Sequence, residues 1–104
     1  MVKVEIIYCA GCKWMVRAAW YAQELLQSFE QNGIAVTLIP ELEQGGRFSI
    51  FVDGEMLADR KRDAGFPEIK ALKRKLRNQC WPEKDLSHTD RCVDDACGLP
   101  EGDQ

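Results

Sequence analysis

The sequence has no apolar run long enough to cross a bilayer and no apolar leader after Met1-Val2-Lys3-Val4-Glu5, which argues against a membrane-spanning protein and points to a cytoplasmic one. Its 104 residues leave no room for a second sizeable domain, and an apolar share of 45% suffices for one modest core. A basic excess is also missing: the net charge is −3, and residues 1–82 are near neutral with 12 basic and 10 acidic side chains. Without a basic footprint, no nucleic-acid partner is expected. There are no internal repeats. The five cysteines are odd in number and unevenly spaced, which counts against a secreted disulfide scaffold. In a reducing compartment a C-x-x-C reads instead as catalytic or metal-binding.

Val2, Val4, Ile6 and Tyr8 alternate with Lys3, Glu5 and Ile7, which predicts a strand with one strongly apolar face, ending at Cys9. From Lys13 the period lengthens. Met15, Ala18, Ala19, Ala22, Leu25, Leu26 and Phe29 then predict an amphipathic helix that stops near Asn32-Gly33 in a left-handed cap. Ile34, Val36, Leu38 and Ile39 make a second strand closed by Pro40, and a helix between two strands favours a parallel crossover. Asp53-Gly54, between residues 48–52 and 55–58, predicts a tight hairpin. Pro67 fits the first turn of a second helix, with Ile69, Leu72 and Leu76 as its buried stripe. Glu68 near its start and Arg74, Lys75 and Arg77 near its end complement the helix dipole.

The resulting order is β-α-β-β-β-α: an α/β (α+β) domain over residues 1–82, with a four-stranded mixed sheet and two helices. Past Cys80-Trp81-Pro82 the periodicity gives out. Residues 83–104 carry 7 acidic and 2 basic side chains, so an acidic, flexible tail is expected there.

Cys9-Ala10-Gly11-Cys12 falls between the end of the first strand and the predicted first turn of the first helix. Free backbone N–H groups and the positive end of a helix dipole favour thiolate over thiol at such a place, and thiolate is the attacking species. Two intervening residues let the sulfurs reach each other, so a mixed disulfide formed by one can be resolved by the other. Ala10 and Gly11 leave the approach open, and Lys13 adds a nearby positive charge. Cys9 and Cys12 are therefore the candidate catalytic pair. The bland alternative is a pair of small buried apolar side chains.

Tyr8-Cys9-Ala10-Gly11-Cys12-Lys13-Trp14, the Arg17-Ala18-Ala19-Trp20 stretch and Gly65-Phe66-Pro67-Glu68-Ile69-Lys70 resemble the selenoprotein W/T/H family, most of all its bacterial cysteine-containing members. The resemblance covers residues 3–80 and implies a thioredoxin-like fold with redox activity. Selenocysteine-containing members carry selenium at the second motif position, which corresponds to Cys12, so the resemblance implies that Cys12 reacts first. Comparison with ordinary thioredoxins makes Cys9 the exposed nucleophile instead. The pair is assigned as a pair, with Cys9 taken as the attacking thiol. Gly45-Gly46-Arg47 stands where thioredoxins carry a cis-proline facing the site, so substrate docking by that device is not expected.

Tyr8, Ala10, Gly11, Lys13, Trp14, Phe66 and Pro67 are the candidate rim of the site. Trp14 is either part of an apolar lip for a partner or, the reading favoured here, packed against the hairpin or second helix. Trp20 falls opposite the core stripe. Lys70, Lys73, Arg74, Lys75 and Arg77 read as a solvated helix face. His88, Cys92 and Cys97, with Asp94 and Asp95 nearby, have some character of a metal site, but H-x3-C-x4-C is not a standard signature. These cysteines are read as incidental, with a disulfide shuttle as the alternative. Cys80 is expected to pack, and to be open to glutathionylation if exposed.

The expected function is a thiol–disulfide oxidoreductase cycling Cys9 and Cys12, acting on a protein or a low-molecular-weight thiol such as glutathione. No metal or organic cofactor is required, and no membrane partner is expected. The alternatives are a redox-responsive binding module without turnover and a metal-binding protein.

Overall fold

The computed structural model describes residues 1–84. The elements are β1 (Val2–Cys9), α1 (Met15–Phe29), a short 3-10 turn (Glu30–Asn32), β2 (Ile34–Glu41), β3 (Phe48–Val52), β4 (Glu55–Asp59) and α2 (Ile69–Cys80). The sheet order is β2-β1-β3-β4, with β1 parallel to β2 and antiparallel to β3. This is the mixed four-stranded α+β architecture implied by the element order. The expected boundary at residue 82 and the candidate residues His88, Cys92, Asp94, Asp95 and Cys97 are another matter: most of the predicted tail lies outside the described residues.

β1 is central because its alternation supplies a core face. Val4, Ile6 and Tyr8 are buried, whereas Lys3 and Glu5 are exposed. The core joins these residues to Ile50 and Val52 of β3, to Ala18, Tyr21, Ala22, Leu25 and Phe29 of α1, and to Leu72 and Leu76 of α2. Both helices thus cover one face of the sheet.

The face of α1 is rotated from the expected stripe. Tyr21 is buried, while Met15 is half-exposed and Ala19 and Leu26 are only partly covered. Tyrosine can take a core position when its hydroxyl finds a partner, and Tyr21 Oη donates to the carbonyl oxygen of Pro67 at 2.5 Å. Trp20 is exposed, as its helical position implied. Gly33 closes the 3-10 turn at φ 87°, the left-handed cap expected of it.

Two boundaries differ from expectation. β2 runs through Pro40 to Glu41, because β2 is an edge strand and needs no ladder donor on its outer side. Pro67 precedes α2 instead of occupying its first turn: Glu68 is the N-cap, its carboxylate accepting from the Ala71 N–H at 2.9 Å. The basic face of α2 is not uniformly solvated either. Lys73 is 6% exposed, its Nζ 3.0 Å from Glu24 Oε1 on α1. The Asp53-Gly54 hairpin forms as expected, with positive φ at both turn residues.

Candidate active site

The C-x-x-C occupies a turn of its own between β1 and α1. Cys9 ends β1 opposite Glu41, and the Ala10 N–H donates to the Glu41 carbonyl at 3.0 Å, extending the β1–β2 ladder by one bond. The Lys13 N–H then returns to the Ala10 carbonyl at 3.1 Å and the Trp14 N–H to the Cys9 carbonyl at 3.4 Å. Lys13 adopts φ 64°, and α1 begins only at Met15, with Trp14 as its N-cap. Cys12 therefore precedes the helix, between strand and first turn as expected, and α1 starts two residues later than the change of period at Lys13. The reason is the left-handed residue: the chain must complete the Ala10–Lys13 turn before helical dihedrals can start.

Cys9 and Cys12 are joined as a disulfide, their Cα atoms 5.3 Å apart. The two sulfurs sit differently. Cys9 is 3% exposed, while Cys12 is partly open and flanked by exposed Gly11 and Lys13. The exposure that the thioredoxin comparison requires of Cys9 is absent. The Cys12 N–H points at Cys9 Sγ, 3.1 Å away, a donor placed to stabilise negative charge on that sulfur. A Cβ on Gly11 would meet nothing within 4 Å, so solvent and partners approach the turn freely from that side.

The rim is aromatic and cationic. Trp14 packs edge-on against Phe66, with ring centroids 4.9 Å apart, and against Phe48 at 6.3 Å, so it rests on β3 and the segment before α2. These contacts are of the packing kind favoured for Trp14, made to the hairpin and to the segment before α2. Arg17 lies 4.1 Å from the Phe66 ring centre, and Arg60 lies 5.1 Å from that of Trp14. Pro67 is partly buried behind this group, while Tyr8, expected on the rim, belongs to the core. The first turn of α1 contains no acidic residue. Lys13 and Arg17 at a helix N-terminus oppose the dipole, a signal in the sequence that could have drawn attention to a cationic site.

Behind the turn, Glu41 anchors the loop leading to β3. Its carboxylate accepts from the N–H groups of Glu43 and Gln44 at 3.2 and 3.1 Å and pairs with Arg47 at 3.2 Å. The two backbone donors, more than the guanidinium, hold the Glu41 pKa below its ordinary value. Gly45 and Gly46 offer their carbonyls to Lys61 and Arg60, at 3.2 and 3.3 Å. Hydrogen bonding to side chains thus holds the loop before β3.

Cys80 lies apart from this site, partly buried at the end of α2, and burial followed by the Asp53 charge raises its thiol pKa. That makes it a poor nucleophile near neutrality. Among the described residues, no group of three or more His, Cys, Asp or Glu side chains could hold a metal ion, and no helix is long and apolar enough to cross a membrane.

Residues 3–78 match the Rdx family. The chain belongs to that family. Two solved structures agree with the fold. One, described as a selenoprotein W-related protein from Vibrio cholerae, is 45% identical, with a TM-score of 0.70 over 75% of this chain and 95% of its own. The other, a protein from Bordetella parapertussis, is 46% identical, with a TM-score of 0.69 over 75% of this chain and 96% of its own. No curated protein matches the chain. The resemblance to selenoprotein W-like proteins drawn from the C-x-x-C and Gly-Phe-Pro-Glu segments therefore holds. The disulfide-bonded pair of this Rdx domain is consistent with redox function.

Proposed function

We propose that this Rdx-family chain is a cytoplasmic thiol–disulfide oxidoreductase in which Cys12 meets the partner and Cys9 resolves. The observation that carries the reading is the asymmetry of the pair: Cys9 is 3% exposed and its sulfur receives the Cys12 N–H, whereas Cys12 is partly open. In the reducing direction, Cys12 thiolate attacks a partner disulfide, forming a mixed disulfide and releasing one partner thiolate. Cys9 thiolate then attacks Cys12 Sγ, releasing the second partner thiolate and closing the Cys9–Cys12 bond. In the oxidising direction a partner thiolate attacks Cys12 Sγ and Cys9 leaves as the thiolate. The better-stabilised leaving group is the one beside a backbone donor, so the same N–H favours attack at Cys12.

A protein or low-molecular-weight thiol such as glutathione suits the open, cation-flanked approach at Cys12. The test is exchange with glutathione buffers, read by mass spectrometry. Cys12→Ser should abolish exchange at the motif, and Cys9→Ser should accumulate a glutathione adduct on Cys12. An adduct confined to Cys9 in the Cys12→Ser protein, with none on Cys12 in the Cys9→Ser protein, would reverse the roles. No exchange in the unmodified protein would end the oxidoreductase reading.

A further inference from the structure

Three cations stand around the C-x-x-C. Lys13, Arg17 and Arg60 form no ion pair among the described residues, where the pairs are Arg47–Glu41, Arg62–Asp63 and Lys73–Glu24. Beside them, the start of α1 presents apolar side chains to solvent: Met15 is 50% exposed, Val16 72% and Trp20 44%. An apolar surface bordered by unpaired positive charge, next to a disulfide, fits an acidic segment that also carries apolar residues and thiols.

The chain itself contains such a segment. Residues 85–104 hold six carboxylates against the single cation Arg91, together with Val93, Leu99, Cys92 and Cys97. They lie beyond the family match, which ends at residue 78. We infer that this segment docks on the Lys13, Arg17 and Arg60 surface and that Cys92 and Cys97 exchange disulfides with Cys9–Cys12. The inference rests on the oxidoreductase reading above.

The distances permit it. Trp81 stacks on Phe29 with ring centroids 5.1 Å apart, and Arg77 donates to the Lys84 carbonyl at 2.8 Å, so the chain leaves the domain beside the C-terminal end of α1. The 15 residues of α1 separate that point from Met15 by about 22 Å. Cys92, eight residues past Lys84, can reach at most about 26–29 Å. Cys97, thirteen past it, can reach about 43–47 Å and so has the slack to approach Cys12.

The chemistry balances within the chain. Cys97 thiolate attacks Cys12 Sγ, forming the Cys12–Cys97 bond and releasing Cys9 as the thiolate beside the Cys12 N–H. Cys92 thiolate then attacks Cys97 Sγ, forming Cys92–Cys97 and releasing Cys12 as the thiolate. Two electrons pass from the tail dithiol to the Cys9–Cys12 disulfide, and the protons of the tail thiols go to water. The reverse sequence oxidises the domain.

The test uses the 104-residue chain as Cys9→Ser/Cys92→Ser, in which neither resolving thiol remains, oxidised with one equivalent of glutathione disulfide and digested with trypsin after thiol blocking. The expected product is a link between the Cys12 peptide, residues 4–13, and the peptide of residues 92–104, in monomeric protein and in a yield independent of protein concentration. Adding Cys97→Ser should remove the link and so identify the tail sulfur. Raising salt from about 0.1 M to 1 M shortens the screening length from about 10 to about 3 Å. The linking rate should then fall about tenfold, as it should in Arg17→Glu/Arg60→Glu protein whose circular dichroism shows it folded. Absence of the link while Cys12 still takes up glutathione overturns the inference and leaves the oxidoreductase reading intact. A link found only between two chains also overturns it, in favour of a second copy as the partner. A salt-insensitive link within one chain overturns the charged docking surface. A Cys12 that exchanges with nothing removes both readings.

Discussion

Tyr21 Oη donates to the Pro67 carbonyl at 2.5 Å, tying the middle of α1 to the segment that carries Phe66 against Trp14. Burial outweighs the Arg17 charge and raises the phenol pKa, so the group remains a donor throughout the neutral range. Tyr21→Phe should cost about 0.5–1.5 kcal/mol, measured by urea unfolding, with the helices retained by circular dichroism.

Phe48 joins the core to the site. Its ring centroid lies 5.5 Å from that of Tyr21, 5.2 Å from Phe66 and 6.3 Å from Trp14, and the residue is 1% exposed. Phe48→Ala should cost about 3–5 kcal/mol in urea unfolding. It should also change Trp14 fluorescence in the folded protein, whereas an unchanged emission would mean that Trp14 is held by its other contacts alone.

Three carboxylates set the acid limit of stability. Two backbone donors lower the Glu41 pKa; the Ser49 hydroxyl, at 2.6 Å, and the Arg62 N–H lower that of Asp59; and the Arg62 side chain leads in lowering Asp63 to about 2. Each folded pKa lies below its unfolded value, so the contribution is present in full above the unfolded values near 4 and lost as pH falls through the folded ones. The urea midpoint should be flat above about pH 5 and fall between about pH 4 and 2. Ser49→Ala should flatten that fall by removing the buried donor to Asp59, and should cost about 1–3 kcal/mol at neutral pH.

The Lys73–Glu24 pair links the helices at 3.0 Å, with the lysine side chain buried and the glutamate side chain 29% exposed. Glu24→Gln leaves a buried ammonium without its carboxylate and should cost about 1–3 kcal/mol. Lys73→Met, which replaces the charge with an apolar chain of similar length, should be close to neutral. A loss in Lys73→Met with none in Glu24→Gln would show that packing of the lysine stem dominates the pair.

The alternation at Val4, Ile6 and Tyr8, the helical spacing at Ala18, Ala22, Leu25 and Phe29, and the Asp53-Gly54 turn made the element order legible, because local periodicity and turn chemistry agree with the final packing. What the sequence hid depends on long-range neighbours. Pro40 could continue a strand only because β2 is an edge strand, and Lys73 could be buried only because Glu24 lies across from it. The C-x-x-C was plain, yet the left-handed Lys13 that separates it from α1 follows no residue preference, since lysine rarely adopts positive φ. The cationic rim gathers Arg17 and Arg60 from distant segments onto Trp14 and Phe66, an arrangement that no local pattern reveals.

The roles of Cys12 and Cys9 are tested most directly by following alkylation of the reduced protein across pH, with each cysteine quantified by mass spectrometry. Cys12 should be labelled first, while Cys9 stays protected until the domain unfolds. Labelling of Cys9 ahead of Cys12 in the folded protein would contradict this assignment.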